Sequence, residues 1–316
     1  MRRLRALSLL VALAACLAAT DGSGSDVAAP SRLRPVPARV VNGVVTQDRP
    51  TVGALLVTSG VNHSLTCTGT LVGCHTFVTA AHCVCKTSDN FADCVKNDLP
   101  ALDVADLRVF FQHSGFHHVR DVFVDPGYLR GVGSDIAILR LSERVEGIEP
   151  SPIHRDFPAS VEHGTAGVIV GFGTKGDASL APAIKRVGSV TTSACPAGSL
   201  ILEPGNVCWD FQAPIAGPGQ ESGLCRADDG GPLFVDFGNG PEVAGIHAGG
   251  GPSCNADSWS YGTAVSPSRL WLDVVGGPDL SNTQCSDLAE VGESFVTVHG
   301  DTGDLPRSED EQLFTY

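Results

Sequence analysis

The sequence predicts an all-β protein, a barrel or a sandwich, and three observations carry that reading. From Val40 onward the chain consists of short β-type runs separated by Gly, Pro, Asn and Asp. Helical periodicity does not intervene between those runs. Eleven cysteines in 316 residues point to an oxidising compartment, where disulfides can staple loop-rich β structure. The composition, 42% hydrophobic and 18% charged with 37 Gly and 20 Pro, excludes collagen, coiled coil and wholesale disorder. The length suits one large β-rich domain or two modest ones.

In chain order, Arg2, Arg3 and Arg5 precede an apolar stretch from Ala6 to Ala15, so residues 1–15 read as a secretory signal. Leu13-Ala14-Ala15-Cys16 resembles a bacterial lipobox, which implies lipidation of Cys16 and a membrane contact through that anchor only. The alternative is an ordinary signal peptide cleaved near Ala19. On either reading Cys16 leaves the pairing pool and ten cysteines remain. Residues 16–39, with a Gly/Ser/Asp stretch and then Pro30, Pro35 and Pro37, read as a tether. Strands are expected at Thr51–Ser59, Leu107–His113, Val119–Asp125, Ala166–Phe172, Pro232–Phe237 and Val243–His247. One helix is expected late, with Ser266 as N-cap, Pro267 at its first position and Gly276-Gly277 as its stop. Residues 277–316 form an acidic extension, whose last sixteen residues hold five acids and one base.

Net charge is −14, and without the first 39 residues it is −18. So acidic a body repels phosphate backbones, which argues against nucleic-acid binding. After the N-terminus no apolar run reaches the 18 residues of a membrane span.

Three separated segments carry the chemistry. Thr79-Ala80-Ala81-His82-Cys83, Ser134-Asp135-Ile136-Ala137-Ile138-Leu139 and Cys225-Arg226-Ala227-Asp228-Asp229-Gly230-Gly231-Pro232-Leu233 follow in that order. They resemble the histidine, aspartate and nucleophile motifs of the trypsin/chymotrypsin-like serine proteases. Val40-Val41-Asn42-Gly43, Asp125-Pro126-Gly127-Tyr128 and Gly171-Phe172-Gly173 are similar to further motifs of that family. The resemblance covers about residues 40–276 and implies two antiparallel six-stranded β-barrels with a C-terminal helix. It also implies that His82 and Asp135 are the base and its orienting carboxylate, in the chain order of this fold rather than of subtilisins or α/β-hydrolases.

The nucleophile position is Asp229, where the family has Ser. A carboxylate has no hydroxyl proton to pass to His82, and its acyl product would be an anhydride. Loss of the nucleophile costs ~10⁶ in rate in subtilisin. Ala227 replaces the oxyanion Gly beside the donor of Asp229; its Cβ cannot remove the backbone donor, but it can forbid a Gly-type conformation and crowd an incoming carbonyl. Ala248-Gly249-Gly250 stands where the family has Ser-Trp-Gly, which removes an aromatic platform. By the resemblance the pocket floor is Gly223, so any residual pocket is neutral. With carboxylates on both sides, His82 is expected to stay protonated at neutral pH.

The resemblance also implies processing after Arg39 by a separate protease, freeing the α-amino group of Val40 to pair with Asp228; the alternative is that Arg39 is simply part of a basic linker. It further implies disulfides Cys67–Cys83, Cys195–Cys208 and Cys225–Cys254. Cys74, Cys85, Cys94 and Cys285 leave three connectivities. Of these, Cys85–Cys94 with Cys74–Cys285 is favoured, because it closes a short loop and ties the extension to the body.

No cofactor and no metal is expected. The acidic segment Ser88–Asp93 lacks the alternating carboxylates of a calcium loop. His117-His118 is uninformative, and Asn62-His63-Ser64 is a sequon only in a glycosylating host. The expected function is binding of a protein or peptide, for instance an active protease, by an exported homologue that has lost its nucleophile. The alternatives are a working endopeptidase of unusual or weak chemistry and a purely structural surface protein.

Overall fold

A computed structural model describes residues 40–85, 89–95, 102–155, 161–173, 184–213, 220–281 and 285. The signal, tether, Cys16 and Arg39, and the extension beyond Cys285, lie outside the described residues. After the two-residue β1 (Val44–Val45), the first barrel comprises β2 (Val52–Ser59), β3 (Asn62–Leu71), β4 (Thr76–Thr79), β5 (Leu107–Phe111), β6 (Gly115–Val124) and β7 (Ala137–Leu141). They close in the order β2-β3-β4-β7-β6-β5, all antiparallel. A short helix α1 (Phe91–Val95) sits between β4 and β5.

The second barrel comprises β8 (Ala166–Gly171), β9 (Arg186–Ser193), β10 (Asn206–Phe211), β11 (Pro232–Asp236), β12 (Pro241–Gly250) and β13 (Ser258–Ala264). Pairing of β8 with both β9 and β11 closes this ring as well, and β1 adds to the β9 edge. The double six-stranded barrel is therefore as expected. Strands facing solvent on one side alternate: in β5, Leu107, Val109 and Phe111 are buried while Arg108 and Phe110 are less so. One buried apolar cluster runs from Leu55, Phe77 and Ile138 of the first barrel to Phe234 and Ile246 of the second, so the barrels share a core.

The register that matters for the site is β4 on β7, where Thr79 opposes Ala137. It brings the chain leaving β4, which holds His82, beside the chain entering β7, which holds Asp135.

The C-terminal helix departs in detail from the sequence expectation. Ser266 does not cap it: the carbonyl of Val265 already accepts the N–H of Ser268, so a 3₁₀ turn Ser266–Ser268 begins one residue earlier, without a side-chain cap. Helix α2 (Arg269–Gly276) follows, and Gly277, at φ 58°, ends it as anticipated. The chain then winds through a second 3₁₀ turn, Gly277–Ser281, onto the first barrel.

Arg140 explains that docking. It sits in β7, whose residues are buried on both faces. Its guanidinium donates to the carbonyls of Val275 (2.6 Å) and Gly276 (2.8 Å), satisfying the negative end of α2. It also reaches Thr76 and the carboxylate of Asp279 (3.3 Å), which accepts from the backbone of Cys74 and His75 at 3.0 Å each. Arg140→Ala would leave Asp279 and two helix-terminal carbonyls without this cation. A loss of about 3–5 kcal/mol is expected, read as a fall of about 10 °C in melting temperature. A fall of 2 °C or less would show that α2 docks through its apolar face alone.

Candidate active site

Each motif residue is placed by an element end at the junction of the barrels. His82 lies in a 3₁₀ turn, Ala81–Cys83, directly after β4. Asp135, fully buried, precedes β7, and Asp229 sits in the loop before β11. Thr68 of β3 ties that loop to the first barrel: its N–H donates to the Asp229 carbonyl (2.8 Å) and its hydroxyl to the Ala227 carbonyl (2.8 Å).

Asp135 holds His82 twice, accepting from its backbone N–H at 2.9 Å and meeting Nδ1 at 2.7 Å. On the other side Asp229 Oδ2 lies 3.4 Å from Nε2. Burial alone would lower the pKa of this imidazole, but the charge and hydrogen bond of Asp135, followed by those of Asp229, override it and raise the pKa to about 10. A proteolytic base must be neutral to take a proton. The two carboxylates favour the imidazolium, the form that has no lone pair at Nε2 with which to take one. Because its folded pKa is above the unfolded value, its contribution to stability is fully present below about pH 6.5 and is lost as pH rises towards 10. Asp229→Asn is expected to lower this pKa by one unit or more in an NMR titration of the imidazole carbons. An unchanged titration would show that Asp229 does not sense the ring.

The oxyanion region corrects one expectation. Ala227 does adopt the Gly-type conformation, at φ 69°, rather than being forbidden it, at a cost on the order of 1 kcal/mol. The hydrogen bond from Thr68 to its carbonyl fixes the peptide. Among the described residues nothing accepts the N–H of Ala227 or Asp229, so the two donors remain open.

Gly223 pairs with Val41 through both backbone groups, at 2.8 and 3.2 Å. A side chain added at Gly223 would run into the ring of Phe211, which is buried against Val41, Cys225 and Cys254. Phe211 of β10 therefore packs directly against Gly223. Ala248 is buried against Tyr261, and a side chain at Gly249 would meet the Tyr261 ring 3.1 Å away. The Tyr261 ring of β13 thus packs beside this segment. At Gly250 added bulk would meet the Trp259 carbonyl at 2.7 Å. Burial first, then the charge of Asp135, pushes the Tyr261 hydroxyl up to about 12, and it hydrogen-bonds Arg130. Sequence reasoning missed Phe211, Tyr261 and Arg130, since nothing in their local pattern marks them.

Asp228 is fully buried and accepts from the N–H groups of Gly173 (2.8 Å), Cys225 (3.0 Å) and Val40. Any side chain at Gly171 or Gly173 would collide with this carboxyl, which accounts for the Gly-Phe-Gly motif. Burial raises its pKa to about 7, since amide donors compensate only part of the desolvation. Val40 is itself fully buried, at φ 44°.

Disulfides join Cys67 to Cys83, Cys195 to Cys208, Cys225 to Cys254, Cys85 to Cys94 and Cys74 to Cys285. Among the described residues Cys67, His82 and Cys83 converge as a metal site's ligands would, but both sulfurs are in one disulfide and offer no thiolate.

Residues 40–272 match the family model described as Trypsin. No curated protein matches the chain.

Proposed function

Because the chain belongs to the trypsin family, we propose that it is an exported, lipid-anchored member without a catalytic nucleophile, acting by binding a protein or peptide. The observation that carries this reading is the His82–Asp229 contact. A carboxylate stands where a hydroxyl must be, and it helps hold the base protonated. Recognition falls to the outer surface of the cleft and its loops. An active protease is a fitting partner, since a scaffold of the same shape can occupy the sites that bind it as regulator, decoy or cofactor.

Maturation on this reading begins with removal of residues 1–15 and lipidation of Cys16. Cleavage after Arg39 by a separate protease then places the α-ammonium of Val40 against Asp228, whose buried carboxyl has no ion-pair partner among the described residues.

A working endopeptidase with weak chemistry is the competing reading, favoured by the open N–H donors of Ala227 and Asp229. A serine-directed fluorophosphonate separates the two. Parent protein cleaved after Arg39 is expected to take no label and to turn over no peptide of a broad library. Turnover that vanishes in His82→Ala would sink the binding reading.

A further inference from the structure

The chain holds two Asn-Gly pairs, Asn42-Gly43 and Asn239-Gly240. Such a pair can cyclise, because glycine carries no side chain to hinder the attack of its backbone nitrogen on the amide carbon before it. The fold treats the two pairs in opposite ways. Asn42 is 4% exposed and sits at φ 63°. Its Nδ2 donates to the carbonyls of Gln212 (2.9 Å) and Glu221 (3.0 Å), which pins the amide from outside its own segment. The Gly43 nitrogen donates in turn to the Val40 carbonyl at 2.6 Å. Both reacting groups are committed to bonds in a buried segment, and cyclisation there requires that the segment open first.

Asn239 stands at the tip of the hairpin between β11 and β12, whose last pair is Asp236 with Pro241. It is exposed, and its side chain has no hydrogen-bond partner among the described residues. Gly238 and Gly240 flank it at φ 107° and 101°, a region that favours glycine, and a Cβ added at either would meet nothing within 4 Å. Room and backbone freedom for ring closure are therefore present on both sides of Asn239.

One constraint acts on the turn. The carboxylate of Asp236 accepts from the N–H of Gly238 (2.7 Å) and from that of Gly240 (3.0 Å). The second of these is the nitrogen that must attack, and it has to give up its proton to do so. A hydrogen bond to an anion stabilises the protonated form of the donor, so Asp236 acts as a brake on the step.

We propose that Asn239 is a site of spontaneous modification, where the Asn-Gly pair passes through a succinimide while Asn42 stays an amide. The Gly240 nitrogen forms a bond to the side-chain carbonyl carbon of Asn239. Its proton passes through water to the departing amide nitrogen, which leaves as ammonia. One water molecule then opens the ring at either carbonyl and gives aspartate or isoaspartate, with nothing oxidised or reduced. Both products add a negative charge to the turn. Isoaspartate also inserts the side-chain methylene into the backbone, so the bonds from Gly238 and Gly240 to Asp236 cannot both keep their geometry.

The test keeps the full chain at mildly alkaline pH, folded and in parallel in urea, and follows both pairs by peptide mapping with mass spectrometry. In the folded protein, acid at residue 239 is expected to accumulate at least ~tenfold faster than at residue 42. In urea that ratio should fall towards one, because the protection of Asn42 is tertiary. Enzymatic methylation of isoaspartate should label the folded parent and not Asn239→Gln. Asp236→Ser, which leaves the turn a short acceptor without the charge, is expected to convert severalfold faster than the parent. The inference is overturned if residue 239 remains an amide in both folded parent and Asp236→Ser while the urea samples convert, or if Asn42 reacts as fast as Asn239 in the folded protein. A slower Asp236→Ser would make the carboxylate a base that assists the step and overturn its role as brake.

Discussion

Asp229→Ser, in protein cleaved after Arg39, is expected to gain fluorophosphonate labelling by at least ~10³ over the parent. Two effects add. The substitution supplies the missing hydroxyl, and it removes one of the two carboxylates that hold His82 protonated. The pKa of the ring should then fall towards the range where it can accept a proton. The rest of the machinery is in position: Asp135 orients Nδ1 at 2.7 Å, and Ala227 already holds the conformation that leaves its N–H open. A small phosphonate is the right reagent because it needs no side-chain subsite to react. Peptide turnover should lag behind labelling. If Asp229→Ser stays unlabelled while His82 still titrates near its former value, Asp135 alone holds the imidazolium. The restoring variant would then need a change beyond residue 229.

Cleavage after Arg39 is expected to stabilise the domain by several kcal/mol at pH 7 to 8, with the advantage shrinking towards pH 4. The group responsible is Asp228, whose pKa is about 7 when buried against an ordinary value of 3.8. Between those values the unfolded chain releases this proton while the folded chain keeps it. The uncleaved protein therefore loses stability progressively as pH rises from about 4 to 7, each unit being worth about 1.4 kcal/mol. An α-ammonium at Val40 would reverse that by favouring the ionised carboxylate. Denaturant melts of cleaved and uncleaved protein at the two pH values check the difference. Asp228→Asn in the uncleaved chain should flatten the pH slope. Asp228→Ala in the cleaved chain should cost about 3–5 kcal/mol and expose residues 223–227 to proteolysis. Equal stability of the two forms at both pH values would show that Val40 does not become a cationic partner of Asp228.

The elements most legible in the sequence were those with a local cause. Alternating runs such as Leu107–Phe111 are strands because one face must be buried, and the Gly-Gly at 276–277 ends a helix because the chain turns there with positive φ. The motif residues His82, Asp135 and Asp229 were legible for a different reason. Their chemistry demands particular side chains, so they stand out even though 53 and 94 residues separate them. The N-cap was misread because Ser266 has the right side chain, yet the carbonyl one residue earlier captured the turn.

What the sequence by itself determined is the class of fold, the three-residue constellation and the absence of a hydroxyl at its centre, since each is a property of residue type and order. What only the tertiary structure decided is how the space around that constellation is filled. Phe211 lies twelve residues before Gly223, and Tyr261 twelve after Gly249. Phe211 of β10 meets Gly223 in the loop before β11, and strand register sets Tyr261 of β13 opposite Gly249 of β12. Arg140 and Asp279 meet across 139 residues for the same reason. Packing is a many-body property of the folded chain, and no local pattern announces which side chain will occupy a neighbour's vacancy.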